Sequence, residues 1–464
     1  MKQGKHHAVI QDDATCVRDV FAALQDEVIE PGLCTHCGTC VGLSDGHLAM
    51  TDTSHGPLPT AHRSQAVLDH IAYEACPGKG LDYPVLNQFV FGALPHNWLV
   101  GHVRKSYVGY ATDEAIRQHA ASGGVITRAL IYLLEHRMID GAIILCQGRP
   151  TPWQAEPIIA SNVHEVLQAS QSVYVPAPVN TILAKLHHLS GRFAYVGLPD
   201  QIASIRKLQQ LGHADALKIV YTFGVYCGTV MYFDAVRSFL RSHGIHNVAD
   251  IAQLHYRAGE WPGNLQIITT SGTVITVEKF YYNYLIPFYI TRSTLLAVDF
   301  TNELADISVG DAWHPRYEKD RKGYSVVLAR SEKGETLLQK MHSDRVLMLE
   351  EQPLDLILSM HGHMIDFKKR GAFIRMQWHH MLGKNIPQYG YAPKAIPISR
   401  YLVEVIISGL FCFGQTKVAR RMVEHIPIAW LGPCFNALRK AWKNVSKPAK
   451  RKGLAQYDVI YTRQ

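Results

Sequence analysis

The chain has 464 residues, of which 47% are hydrophobic and 19% charged, with a formal net charge of +8. That is enough apolar material for two or three domains with a large core, and it excludes global disorder. Nine cysteines, an odd number, with no signal-peptide pattern ahead of them do not suggest a disulfide framework.

The spacing of Val17, Val20, Phe21 and Leu24 predicts a short helix over Thr15 to Glu27. Next comes Cys34-Thr-His-Cys37-Gly-Thr-Cys40, and Cys76-Pro77 follows further on. Three thiolates two residues apart on a glycine-containing loop converge on one point, which suits a corner of a [4Fe–4S] cube. A cysteine before proline is the usual form of the remote fourth ligand, so Cys76 completes the set. A zinc site using His36 or His47 stays open beside this reading, as does no metal at all. Asp45 to Pro59 is rich in turn residues and is expected to be loop or short hairpin. Asn87 to His102 looks like a linker with aromatic anchors.

From Tyr107 onward, apolar runs alternate with helical patterns. Helices are expected over Val125 to His136, Val179 to Leu189, Gln201 to Leu211 and Val230 to Ser242. Strands are expected over Asp140 to Cys146, Arg192 to Leu198 and Leu217 to Tyr226. This alternation predicts a mostly parallel sheet covered by helices. Leu265 to Thr270 and Thr273 to Glu278 read as a hairpin, Ile307 to Val309 and Ser325 to Arg330 as strands, and Glu332 to Met341 as a helix. The second half is therefore α+β. Beyond about Pro387 the sequence is helical and partly basic. No Gly-x-Gly-x-x-Gly or Walker loop is present. The phosphate candidate is Ser122-Gly123-Gly124 with Thr127, where two glycines at a helix start admit an anion to free backbone N–H groups. An ordinary helix cap accounts for the same residues.

Read together, these segments resemble the coenzyme F420 hydrogenase/dehydrogenase beta-subunit family, which includes ferredoxin-dependent reductases of chlorophyll intermediates. The resemblance spans roughly residues 30 to 380. It rests on the Cys34 to Cys40 motif, Cys76-Pro77-Gly78, Ser122-Gly123-Gly124-Val-Ile-Thr127, Val196-Gly-Leu-Pro199-Asp200-Gln201, Cys227-Gly228, Arg257 and Trp261-Pro-Gly. The run Asn302-Glu-Leu-Ala-Asp306-Ile-Ser-Val-Gly310-Asp311-Ala-Trp313 is its most specific part, followed by Gly323-Tyr-Ser-Val-Val and Lys368-Lys369-Arg370-Gly371.

The resemblance implies an α/β protein in four parts: an N-terminal helix (1–28), a ferredoxin-like iron–sulfur module (29–100), an FAD-binding α/β domain (101–386) and a helical basic extension (387–464). It implies FAD, at least one [4Fe–4S] cluster and a hydride carrier such as coenzyme F420. FAD converts between hydride and single-electron transfer. On this reading Ser122, Gly123, Gly124 and Thr127 hold FAD phosphate. Asp306 and Asp311 border the flavin or cap a tight turn at Gly310. Arg257 and the Lys368–Lys369–Arg370 cluster clamp phosphates or an anionic substrate, or form an exposed basic edge.

The pattern also breaks. Positions that are cysteine in many members are Asp200, Thr294 and Ala297 here, so one cluster is expected and Cys227 is an unpaired core thiol. His70 and Tyr73 replace further cysteines. Val173 stands where a basic residue accompanies the F420 site. The expected function is electron transfer between an F420-like carrier or ferredoxin and a redox partner subunit. A reductase of a glycan, lipid or pigment precursor is the alternative, and a non-catalytic subunit the third. The protein is expected to be cytoplasmic, with no nucleic acid partner. No apolar run reaches a membrane span; the best, Ile396 to Gly414, contains Arg400 and Glu404. The basic C-terminal tail offers a peripheral membrane contact or is a solvated terminus.

Overall fold

The computed structural model describes residues 20–61, 68–278 and 282–462. Most of the predicted helix over Thr15 to Glu27 can be followed only from Val20, where the chain is helical and passes into a π-turn at Gln25–Ile29. Its apolar face, Val20, Leu24 and Val28, is buried.

A hairpin of β1 (Leu48–Thr53) and β2 (Gly56–Ala61) follows the cysteine loop. The main sheet has eight strands: β3 (Lys105–Ala111), β4 (Gly141–Gln147), β5 (Ala155–Ala160), β6 (Phe193–Gly197), β7 (Ile219–Val225), then β11 (Ile307–Asp311), β12 (Ser325–Ala329) and β13 (Leu347–Glu351). Between β7 and β11 the chain forms a separate three-stranded sheet of β8 (Ile251–Ala258), β9 (Asn264–Thr269) and β10 (Val274–Glu278). A last pair, β14 (Tyr391–Pro393) and β15 (Val459–Tyr461), ties the C-terminal end back.

The spatial order is β13-β3-β12-β11-β7-β6-β4-β5. Only β4–β6, β6–β7 and β7–β11 pair in parallel; both flanks are antiparallel. The sheet is thus mixed rather than mostly parallel. The strands that run against the parallel ones are β5, β12 and β13; β5 and β13 lie at the two edges, and β12 returns directly from β11. The predicted second-half strands β11 and β12 also join this same sheet.

Helices labelled here are α1 (Tyr83–Phe91), α2 (Val125–Glu135), α3 (Pro199–Gln210), α4 (Asp234–Arg241), α5 (Glu332–Ser343), α6 (Leu354–Asp366), α7 (Ala372–Met381), α8 (Ile398–Gly414), α9 (Lys417–His425) and α10 (Ile428–Arg451). The predicted helix over Val179 to Leu189 is a 3-10 turn, Val179–Ile182, leading into Leu183–Leu186. Helix α3 starts with Pro199 at its first turn, and Gln201 Oε1 accepts from Leu198 N at 2.8 Å. It buries Ile202, Ile205 and Leu208 completely. Each such side chain contributes about 1.5–3 kcal/mol, so α3 anchors the layer between the sheet and the cysteine segment.

One apolar cluster contains Leu24, Leu33, Leu48, Ala75 and Leu86 together with Tyr195, Ile202 and Ile219. The N-terminal cysteine segment therefore shares its core with the sheet. The C-terminal extension is likewise packed rather than trailing. Trp98 lies 4.4 Å from Tyr391, and Arg370 donates to the carbonyls of Ala449, Lys450 and Lys452.

Candidate functional site

The cysteine loop owes its shape to glycines. Gly38 has φ +86°, and an added Cβ would lie 2.9 Å from the Pro178 carbonyl and 2.8 Å from Thr181. A Cβ on Gly42 would lie 2.3 Å from the Asn180 carbonyl oxygen. At Gly78, beside Cys76, the obstacle is Val28 at 2.4 Å. These close approaches press Cys34, Cys37 and Cys40 against the 3-10 turn and bring the Cys76 segment against the start of the loop.

A buried hydrogen-bond chain joins the two cysteine segments. Asn180 Nδ2 donates to Thr39 Oγ1 at 2.9 Å, Thr39 Oγ1 meets Ser204 Oγ at 2.7 Å, and Ser204 donates to the Ala75 carbonyl at 2.7 Å. Thr39 also lies 3.3 Å from Cys37 Sγ, and Asn180 N donates to the Cys37 carbonyl. Tyr195 holds Asn180 from the other side.

The thiols sense one another. Burial raises the pKa of Cys34, Cys37 and Cys40, and pushes that of Cys76 up to about 12. For Cys40 and Cys76 the next contribution is repulsion from Cys37; for Cys34 a hydrogen bond at His36 lowers the pKa before repulsion from Cys37 and Cys76 raises it. Cys37 is buried, and the other three are partly accessible but set among dense protein atoms. Four soft donors with almost no neighbouring cation fit a group that brings its own positive charge, which iron does. Among the described residues no three His, Cys, Asp or Glu side chains gather tightly enough for a single metal ion. His36 is drawn off: its Nδ1 lies 2.9 Å from the Pro57 carbonyl, and its ring packs edge-on to Tyr232.

Ser122, Arg257 and Asp311 come together at the carboxyl ends of β11 and its neighbours. Ser122 Oγ donates to the Tyr324 carbonyl at 2.8 Å, and a Cβ on Gly323 would lie 2.8 Å from the Ser122 carbonyl and 3.3 Å from Trp261. Trp261 Nε1 donates to Asp311 at 3.0 Å, and the Trp261 and Trp313 rings lie 4.6 Å apart. Gly124, at φ +74°, precedes α2 without a side-chain cap, so the first N–H groups of the helix are open to an oxygen ligand. Gly123 is glycine for a nearer reason: a Cβ would lie 2.6 Å from the Gly109 carbonyl. Thr127 is half-buried in the first turn of the helix.

The predicted cationic clamp is not one. Arg257 is buried, pairs with Asp311 at 3.0 Å and donates to the Pro262 carbonyl at 2.6 Å. Lys369 is fully enclosed with Glu303 and Tyr391, and Arg370 with Asp366. A solvated phosphate cannot compete for these charges, and they form no exposed edge either. Asp306 caps the Thr222 backbone N–H at 2.9 Å and sits 3.1 Å from both Arg206 and Lys333. It is part of a closed ionic cluster at the opposite end of β11 from Asp311. Lys368 differs from its two neighbours, since its Nζ donates to the Thr294 carbonyl at 2.9 Å and lines a small cavity.

That cavity, about 30 Å³, is lined by Asp200, Cys227, Thr294 and Ala297. Asp200, Thr294 and Ala297 are the positions where the resemblance implied cysteines, Cys227 is the cysteine retained, and the fold gathers all four around one point next to Thr35 and His36. The volume suits one or two waters. Burial pushes the Asp200 carboxyl up to about 6 and lowers Lys368, whose charge in turn opposes the Asp200 shift. The Trp261–Trp313 pair and the Thr39–Ser204–Asn180 chain escaped the sequence reading. The first left its two halves apart in the sequence, in Trp261-Pro-Gly and at the end of the Asn302 to Trp313 run, and the second joins residues up to 165 positions apart.

Models of the beta subunit of coenzyme F420 hydrogenase/dehydrogenase match residues 106–184 (N-terminal part) and 190–354 (C-terminal part). The chain belongs to this oxidoreductase family. Both matches begin beyond the N-terminal cysteines and end before the C-terminal extension. Among curated relatives, a coenzyme F420-dependent sulfite reductase of Methanocaldococcus jannaschii is 26% identical over 70% of this chain, but the match spans only 48% of that longer protein. The coenzyme F420 hydrogenase beta subunit of Methanosarcina barkeri is 26% identical over 53% of this chain and 80% of its own length. A chain of the F420-reducing [NiFe] hydrogenase complex from the same organism superposes with TM-score 0.50 at 22% identity, covering 62% of this chain and 96% of that one. That likeness concerns the fold.

Proposed function

We propose that this protein moves electrons between a coenzyme F420-like hydride carrier or ferredoxin and a second redox subunit, using FAD and one [4Fe–4S] cluster. The observation that supports the reading is that the Cys34–Cys40 loop and the Cys76 segment pack on one core and are tied together by the Asn180–Thr39–Ser204–Ala75 hydrogen-bond chain. The family's F420-linked relatives supply the redox class. FAD, when bound, exchanges a hydride on one side and single electrons on the other.

The residues divide the work. The four thiols would hold iron after losing their protons, and the Thr39 hydroxyl lies within reach of the Cys37 sulfur. The open N-terminus of α2 would take the flavin's phosphates, with Ser122 and Gly123 fixing the loop rather than binding. Trp261 and Trp313 would exclude water from one side, and the Arg257–Asp311 pair positions Trp261. A cytoplasmic setting belongs to this reading, because reducing conditions keep the thiols free. Reduction of an organic metabolite remains the second use of the same flavin; Val173 and Tyr174 pack into an apolar cluster, where a basic residue for an F420 phosphate would otherwise stand.

Anaerobic reconstitution tests the proposal. A yellow-brown protein with about four irons per chain, losing iron but not flavin on Cys37→Ser, supports it. Colourless protein with neither iron nor flavin overturns it. Bleaching by reduced F420, ferredoxin or neither then selects among the donors.

A further inference from the structure

Helix α8 is inside out. Its charged residues, Arg400 and Glu404, have no solvent exposure: Arg400 pairs with Asp366 at 2.7 Å and Glu404 with Arg375 at 2.5 Å. Gly371 permits this, since a Cβ there would lie 2.7 Å from Arg400. Its apolar residues face out instead. Ile398 is 81% exposed, and Leu402, Ile406, Leu410 and Phe413 continue the same face at helical spacing. The stripe carries on along α9 through Val418, Met422 and Ile426, and ends at Trp430, which is 74% exposed. A contiguous apolar surface of this extent marks an interaction site.

The charge around it selects the occupant. On α9, Lys417, Arg421 and His425 form a row directly beside Val418, Met422 and Ile426. Between Ile398 and His425 the exposed charged side chains, Lys417 and Arg421, are both basic, while Arg400 and Glu404 are buried. Protein–protein interfaces deplete lysine at their apolar centre. Apolar rows bordered by Lys and Arg, with an exposed Trp at the edge, are the composition of helices that lie in an anionic lipid interface. Among the described residues no single helix is long and apolar enough to cross a membrane, and α8 and α9 meet at 77°. Of the described helices only the bent pair together has the length and composition of a span, and the buried Arg400 and Glu404 ion pairs tie one side of α8 to the protein, so the elbow rests on the surface.

We propose that the α8–α9 elbow is a monotopic anchor that seats this protein on an anionic phospholipid surface. The contact is this elbow rather than the C-terminal tail, which the β14–β15 pair holds against the protein. The test is flotation of the full chain with phosphatidylcholine vesicles, with and without phosphatidylglycerol. The expected result is flotation only with phosphatidylglycerol, weakened at high salt, with a blue shift of Trp fluorescence. Ile406→Glu/Leu410→Glu and, separately, Lys417→Glu/Arg421→Glu should each weaken binding by at least about tenfold. All four side chains are exposed, so thermal unfolding should stay unchanged. Absence of flotation at low salt overturns the proposal, as does equal binding to neutral vesicles. So does a dimer, seen by light scattering without lipid binding, that Ile406→Glu/Leu410→Glu breaks.

Discussion

Thr39 is the knot that holds the two cysteine segments in one place, and Thr39→Val unties it without changing volume. The hydroxyl is buried and contacts Asn180, Ser204 and Cys37. Asn180 keeps its second acceptor, the Gln201 carbonyl at 3.2 Å, and Ser204 keeps Ala75. The substitution thus removes two good hydrogen bonds between neutral groups, each worth about 1 kcal/mol net, and strands no donor completely. The expected cost is about 2 kcal/mol, localised to the closed state of the loop. A factor of ten corresponds to about 1.4 kcal/mol, so the open population rises about 30-fold. The assay is bleaching of the reconstituted protein by an excess of iron chelator under anaerobic conditions. If opening precedes iron loss, the rate rises by up to about that factor, while iron content before challenge is unchanged because all four thiols remain. Thr51→Val, on the exposed hairpin contact to Thr60, is the control and should bleach at the parent rate. A Thr39→Val rate within about twofold of the parent would refute the latch, since thermal error alone covers that range.

Asp311→Asn should destabilise by about 3–5 kcal/mol, because it leaves the buried Arg257 guanidinium short of its counter-charge; Arg257→Met with Asp311→Leu should recover most of the loss, as read by thermal unfolding. Asp200→Asn should raise the melting temperature, and the gain should depend on pH. Burial raises the folded pKa of Asp200 from 3.8 to about 6, so the parent loses stability as pH climbs through that window and the variant does not. The difference should grow between about pH 4 and 6 and be level above; a gain that shrinks over that window would contradict the buried-carboxyl account. Gly42→Ala should yield little soluble protein, because its Cβ would stand 2.3 Å from the Asn180 carbonyl. Finally, Asp200→Cys, Thr294→Cys and Ala297→Cys combined with Cys227 should double the reconstituted iron from about four per chain.

What could be read in advance followed from local chemistry. The Cys34 to Cys40 spacing, the strand–helix alternation from β4 to α4 and the Ser271-Gly272 hairpin all use signals within a few residues. What escaped is what long-range packing decides. Leu347–Glu351 looks like surface because three of its five residues are exposed, yet it is the edge strand that pairs with β3. Lys368-Lys369-Arg370 looks like a clamp because basic runs are normally solvated. Here Glu303, Asp366 and the carbonyls after Ala449 enclose it, and those partners lie up to 82 positions away. The Arg400 and Glu404 charges that disqualified Ile396 to Gly414 as a span are the ones that hold α8 with its apolar face outward.

The same long-range logic governs the small cavity lined by Asp200, Cys227, Thr294 and Lys368. Around the small cavity, Asp200 and Lys368 carry opposite charges, and Thr294 presents its carbonyl to Lys368 Nζ. A carboxylate is a hard ligand and a poor one for iron–sulfur clusters, and here burial outweighs the Lys368 charge in setting the protonation of Asp200. The cavity walls are set by α3, the β7 end and the short helix Arg292–Leu296, and they leave room for one or two waters beside this pair. In the proposed path the Cys34, Cys37, Cys40 and Cys76 thiols would therefore hold the single relay.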